Sequence, residues 1–120
     1  MNNILIVEDS KLIAGAIKIV LEKEGFSVFY TANGLEVVDL IKKNNIDLVI
    51  LDLMMPDVSG SDVLKLIKSS VDVKDTKVII LTAKTNARDW DESLNKCDKF
   101  MTKPFDNANL VGEVKLLLEK

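Results

Sequence analysis

The 120-residue sequence contains no histidine and a single cysteine, Cys97. One thiol cannot build an internal disulfide framework, and its scarcity fits a reducing compartment. Without histidine, and with one cysteine, a His/Cys zinc centre cannot be assembled within one chain. No block of Lys or Arg occurs and the formal net charge is -3, so direct nucleic-acid binding by electrostatics is not expected. No apolar run approaches the ~20 residues of a membrane span, so membrane insertion is not expected either. The start, Met1-Asn2-Asn3 followed by Ile4–Val7, lacks the basic segment and long apolar core of a signal peptide. Repeats, low-complexity tracts and linkers are also missing. What remains is a cytoplasmic protein of one domain, residues 1–120, with an ordinary globular balance of 48% hydrophobic and 29% charged residues.

Short apolar runs alternate with helix-period segments five times. Ile4–Val7 is a β-branched run closed by Glu8-Asp9. Ser10 stands where an N-cap would, before Leu12, Ile13, Ala16, Ile17, Val20 and Leu21 at helical spacing, and Gly25 is placed to end that helix in a left-handed cap. Phe26–Ala32 reads as a second strand, Asn33-Gly34 as a turn, and Leu35, Val38 and Ile41 as the inner face of a second helix. Leu48–Leu51 is a third strand closed by Asp52. A loop with Pro56 and Gly60 leads to a helix carrying Val63, Leu64 and Ile67. The segment 69–77 reads as polar, irregular and exposed. Val78–Leu81 is a strand ending at Thr82, and Ala87, Trp90 and Leu94 mark another helix. A short strand near Phe100-Met101 ends at Lys103-Pro104, and Leu110, Val111, Val114, Leu117 and Leu118 mark the last helix. Strands alternating with helices predict an α/β, doubly wound, five-stranded parallel sheet with helices on both faces. The strands are continuously apolar, as sheets buried on both sides require.

The residues closing the strands are Glu8-Asp9, Asp52, Thr82 and Lys103. In an open parallel sheet these carboxyl ends share one crevice. Singly, an acidic pair after a strand is ordinary helix N-terminal chemistry; five polar groups closing strands together are not. Crowded carboxylates repel unless a hard cation lies among them, and Mg2+ takes oxygen ligands. A carboxylate can also attack phosphorus, with a hydroxyl and an ammonium to neutralise the phosphoryl oxygens. Asp52, ending the most apolar strand, is the best nucleophile candidate.

These stretches, Ile-Leu-Ile-Val-Glu-Asp-Ser (4–10), Asp-Leu-Val-Ile-Leu-Asp-Leu-Met-Met-Pro (47–56), Val-Ile-Ile-Leu-Thr-Ala (78–83) and Phe-Met-Thr-Lys-Pro-Phe (100–105), make the chain resemble the response-regulator receiver family over its whole length. The resemblance implies a flavodoxin-like sheet in order 2-1-3-4-5. It implies Asp52 as phosphoacceptor, Glu8 and Asp9 as metal-side acids, and the Met54 carbonyl as a further Mg2+ ligand. Thr82 and Lys103 correspond to the switch hydroxyl and the phosphoryl-binding ammonium, and Phe100 to the switch aromatic. Met54 and Lys84 occupy positions that in the family modulate phosphoryl lifetime. The sequence departs from the family in carrying Glu8 for a frequent Asp, and Ser59 where Asp is frequent. It also lacks a Gly-Ala turn, the stretch Leu94–Phe100 reading one residue shorter.

The resemblance thus implies a phosphoryl-accepting switch served by a histidine kinase or phosphotransfer protein and read by a target protein, as a monomer or weak dimer. The chain reaches Lys120 without a helix-turn-helix, which favours a stand-alone, chemotaxis-type receiver. A phosphorelay shuttle, or the receiver part of a longer transcription factor, are the alternatives. A small phosphatase-like enzyme on the same fold is the reading from another class. It would need a substrate pocket with further convergent groups, so a separate-substrate enzyme is not expected.

Overall fold

The computed structural model describes residues 2–52, 60–82, 97–102 and 106–118. Five strands, β1 (Asn3–Val7), β2 (Ser27–Thr31), β3 (Leu48–Asp52), β4 (Lys77–Thr82) and β5 (Lys99–Thr102), form one sheet in the order β2-β1-β3-β4-β5. Every adjacent pair is parallel. Among the described residues the α-helices are α1 (Lys11–Lys23), α2 (Val37–Asn44), α3 (Gly60–Ser69) and α4 (Asn107–Leu118).

Alternation along the strands sorts the core into two halves. Leu5, Val7, Val49, Leu51, Val78 and Ile80 meet Val37 and Ile41 of α2 and Val63, Leu64 and Ile67 of α3. Ile4, Ile6, Leu48, Ile50, Ile79 and Leu81 meet Ala14, Ile17 and Leu21 of α1 and Leu110 and Val114 of α4. Both faces of β1, β3 and β4 are therefore dry, which is why these strands read as unbroken apolar runs. The doubly wound sheet expected from the pattern is the observed one.

The ends of α1 follow the expected chemistry. Ser10 is extended (φ -87, ψ 112) and its hydroxyl accepts from Ile13 N at 3.3 Å. Gly25 has φ 95. Its N–H donates to Glu22 O and that of Phe26 to Leu21 O, the paired bonds of a left-handed helix stop. Asn45 performs the same service after α2 at φ 53, with Ile46 N donating to Ile41 O at 3.1 Å.

Three expectations are corrected. Leu35 is 68% exposed because the Asn33-Gly34 turn continues as a single 3-10 turn, Gly34–Glu36, before α2 begins. The helical phase starts at Val37, so Val37 and Ile41 face the core. On α1 the buried row is Ala14, Ile17 and Leu21; Leu12 is 85% exposed and Ala16 lies on the outer face. The segment after α3 is not wholly exposed, since Val73 and Thr76 are buried. Lys68 holds it in place, its ammonium donating to Lys74 O and Thr76 O at 3.1 Å each. The expected helix around Ala87, Trp90 and Leu94 lies outside the described residues.

Candidate functional site

Chain order reverses around β1: β2 lies on one side of it and β3 on the other. The crevice outside the carboxyl ends of β1 and β3 is therefore the switch point where open α/β sheets bind ligands. Glu8 and Asp9 follow β1, and Asp52 is the last residue of β3. The sequence-derived acids meet there, each offering a carboxylate oxygen within 4.8 Å of the others.

Their settings differ. Glu8 and Asp52 are 2% and 4% exposed, whereas Asp9 is exposed. Asp52 is buried because β3 is central, flanked by β1 and β4 along its length. Glu8 is fixed from both sides. Its backbone N–H extends the ladder to Thr31 O at 3.1 Å, and its Oε2 accepts from Ser10 N at 3.2 Å. The strand end and the start of α1 thus hold the first acid at the crevice floor.

Three carboxylate oxygens this close repel one another, and oxygen donors suit a hard divalent cation that retains part of its hydration shell. The donor set fits Mg2+. A nearby polar group adds to the fit: the Tyr30 hydroxyl on β2 is buried and has no hydrogen-bond partner among the described residues. Burial raises the Tyr30 pKa above its ordinary value, and the carboxylates of Glu8 and Asp9 raise it further. Tyr30 was legible only as a strand residue. Its signal lies in the register, which sets it beside Ile6, two residues before Glu8.

The pattern described as "Response regulator receiver domain" matches residues 4–115. The chain belongs to the response-regulator receiver family. Among curated relatives of this receiver, the transcriptional regulatory protein CpxR of Escherichia coli (strain K12) is 36% identical over 100% of the chain and 50% of its own length. The cell cycle response regulator CtrA of Brucella ovis is 35% identical over 98% of the chain and 50% of its own length. The receiver thus spans about half the length of these relatives. Among solved structures, the receiver domain of a signal transduction histidine kinase from Syntrophus aciditrophicus has TM-score 0.91 and 36% identity, covering 99% of this chain and 91% of that one. The response regulator TrrA of Thermotoga maritima, in complex with Mg2+ and BeF, has TM-score 0.87 and 37% identity over 98% and 100% of the two chains.

Of the remaining receiver positions, Thr82 closes β4 beside Thr102 of β5. Phe100 lies on β5 opposite Ile80, half-buried against the α2/α3 side of the core. Cys97 packs against the same half of the core, and burial, then the charge of Asp98, push its thiol pKa up. Met54, Lys84, Lys103 and Phe105 lie outside the described residues. No helix among the described residues is long and apolar enough to cross a membrane.

Proposed function

We propose that residues 1–120 form one receiver domain that accepts a phosphoryl group on Asp52 and thereby changes its binding to a partner protein. The observation that carries this reading is the meeting of Glu8, Asp9 and Asp52 at the switch point, their oxygens within 4.8 Å. A carboxylate oxygen of Asp52 attacks phosphorus. The new O–P bond forms as the bond to the donor, a phosphohistidine nitrogen or the acyl oxygen of acetyl phosphate, breaks in line. Mg2+, held by Glu8, Asp9, Asp52 and the Met54 carbonyl, would neutralise charge on the transferring phosphoryl oxygens. Lys103 would supply a compact positive charge, and Thr82 would donate a hydrogen bond to a phosphoryl oxygen.

The same hydrogen bond couples the site to a surface. A Thr82 hydroxyl drawn toward the phosphoryl group would let the Phe100 ring, which already rests against the core, turn further inward. Phenylalanine carries no hydroxyl to satisfy on moving inward. The domain thus works as a two-state switch acting on its own phosphorylation, not as an enzyme with a separate substrate. Its partners are a histidine kinase or phosphotransfer protein, and a target protein, in the cytoplasm.

Incubation with acetyl phosphate and Mg2+ should add one phosphoryl group to the intact mass, and Asp52→Asn should abolish it. Labelling of the variant to the wild-type extent would reject Asp52 as acceptor. A second reading has its own support: relatives that include a transcriptional regulatory protein are about twice as long. In that reading the receiver controls a DNA-binding output, and the length of the open reading frame after Lys120 decides it.

A further inference from the structure

The side chain of Tyr30 divides in two. Its ring is half-exposed and packs against the α1/α4 half of the core, while the hydroxyl oxygen is shut off from solvent and has no partner among the described residues. Leaving a hydroxyl dry and unpaired is costly unless another state of the protein supplies a partner.

Register shows where that partner would be. Tyr30 lies beside Ile6 on β1, and Ile6 lies beside Ile50 on β3. Alternation carries Ile6 to Glu8 and Ile50 to Asp52 on the same face of the sheet. Tyr30 is thus the diagonal neighbour of Glu8, about 8 Å away between Cα atoms for the usual strand spacing and rise. The Tyr30 and Glu8 side chains leave the sheet on that same face, and the charges of Glu8 and Asp9 both act on the hydroxyl. The Thr31 carbonyl, next along β2, accepts from the N–H of Glu8, so the end of β2 is tied to the acid cluster.

We infer that Tyr30 is a positioning residue of the acid cluster: when a divalent cation is held by Glu8, Asp9 and Asp52, the Tyr30 side chain turns out of its closed position and the hydroxyl donates to a water in the hydration shell of the cation. The inference rests on the reading of that cluster as a cation site. Mg2+ keeps several waters when carboxylates bind it, so the acceptor exists only in the loaded state. A phenol, with an ordinary pKa of about 10, is a donor at neutral pH. Outer partners of this kind commonly change metal affinity by about 10-fold or more.

The test uses the full chain with Mg2+ as the probe. Calorimetric titration of Tyr30→Phe should show affinity reduced by about 10-fold or more. Without Mg2+ the variant should melt no lower than wild type; in saturating Mg2+ it should melt lower. A purely packing role would shift both melts alike and leave affinity unchanged, and that result overturns the inference. Because Tyr30 is the single tyrosine, fluorotyrosine labelling reports on it alone without altering the fold. Its 19F resonance should move during the Mg2+ titration and stay still in Asp9→Asn. A resonance indifferent to Mg2+ in a wild-type protein that binds the ion would also overturn the role of Tyr30. Wild-type protein that binds no Mg2+ would instead reject the cation site, and the inference with it.

Discussion

Replacing Asp9 by Asn should stabilise the metal-free protein. The oxygens of Glu8, Asp9 and Asp52 lie within 4.8 Å of one another. At that separation two like unit charges repel by about 0.9 kcal/mol in water and about 3.5 kcal/mol at an effective dielectric of 20. Asp9 takes part in two such repulsions. It is exposed, so values near the lower end apply, about 2–4 kcal/mol for the two together. Against this stands the dipole of α1, since a negative charge just before a helix N-terminus contributes about 0.3–1 kcal/mol. The net gain is roughly 1–3 kcal/mol, a rise of several degrees in Tm for a domain this size. The assay is thermal unfolding in low salt with a chelator, repeated with Mg2+. Wild type should gain more from Mg2+ than the variant, closing the gap between them. A variant that melts below wild type in chelator would refute the claim that the cluster is electrostatically frustrated.

Three further outcomes are expected. Lys68→Met removes two hydrogen bonds and an ion pair of 3.7 Å to Asp98. With Lys68 and Asp98 side chains 17% and 25% exposed, this should cost about 1–3 kcal/mol, read as a lower urea midpoint at unchanged slope. Cys97 should alkylate more slowly than a free thiol at pH 8, because its raised pKa leaves less thiolate. The thiol is neutral in both folded and unfolded states below the ordinary pKa of about 8.5. Above that value the unfolded chain ionises first, so the contribution of the thiol to stability is lost as pH rises, and alkylation accelerates. Beryllofluoride should shift backbone amide resonances at residues 82–88 and 97–104, and Thr82→Ala should shrink those near Phe100 while the mimic still binds. Distal shifts of full size in that variant would show that coupling runs by another route.

The order of elements and the meeting of Glu8, Asp9 and Asp52 were legible because both depend on few residues. Apolar runs such as Leu48–Leu51 mark strands buried on both faces, and the residue after each run marks its carboxyl end. Helix faces were less legible. Counting a helical period from Leu35 fails because the 3-10 turn Gly34–Glu36 has its own pitch, and nothing in Gly-Leu-Glu announces it. Leu12 matches the spacing of an inner face yet is 85% exposed, since the line of contact with the sheet runs through Ala14, Ile17 and Leu21. The burial of Val73 depends on Lys68, held by carbonyls six and eight residues away, a tertiary contact without local pattern. Tyr30 escaped notice because its significance lies in cross-strand register, which becomes visible only once β1 and β2 are paired.

The central claim is that the phosphoryl group resides on Asp52 as an acyl phosphate. Reduction with borohydride converts an aspartyl phosphate to homoserine and leaves free carboxylates and phosphoesters unchanged. After treatment with acetyl phosphate and Mg2+, then borohydride and proteolysis, the peptide containing residue 52 should carry homoserine at that position. Untreated protein should carry aspartate there. Homoserine at another acidic residue, or phosphate retained through the reduction, would contradict the account.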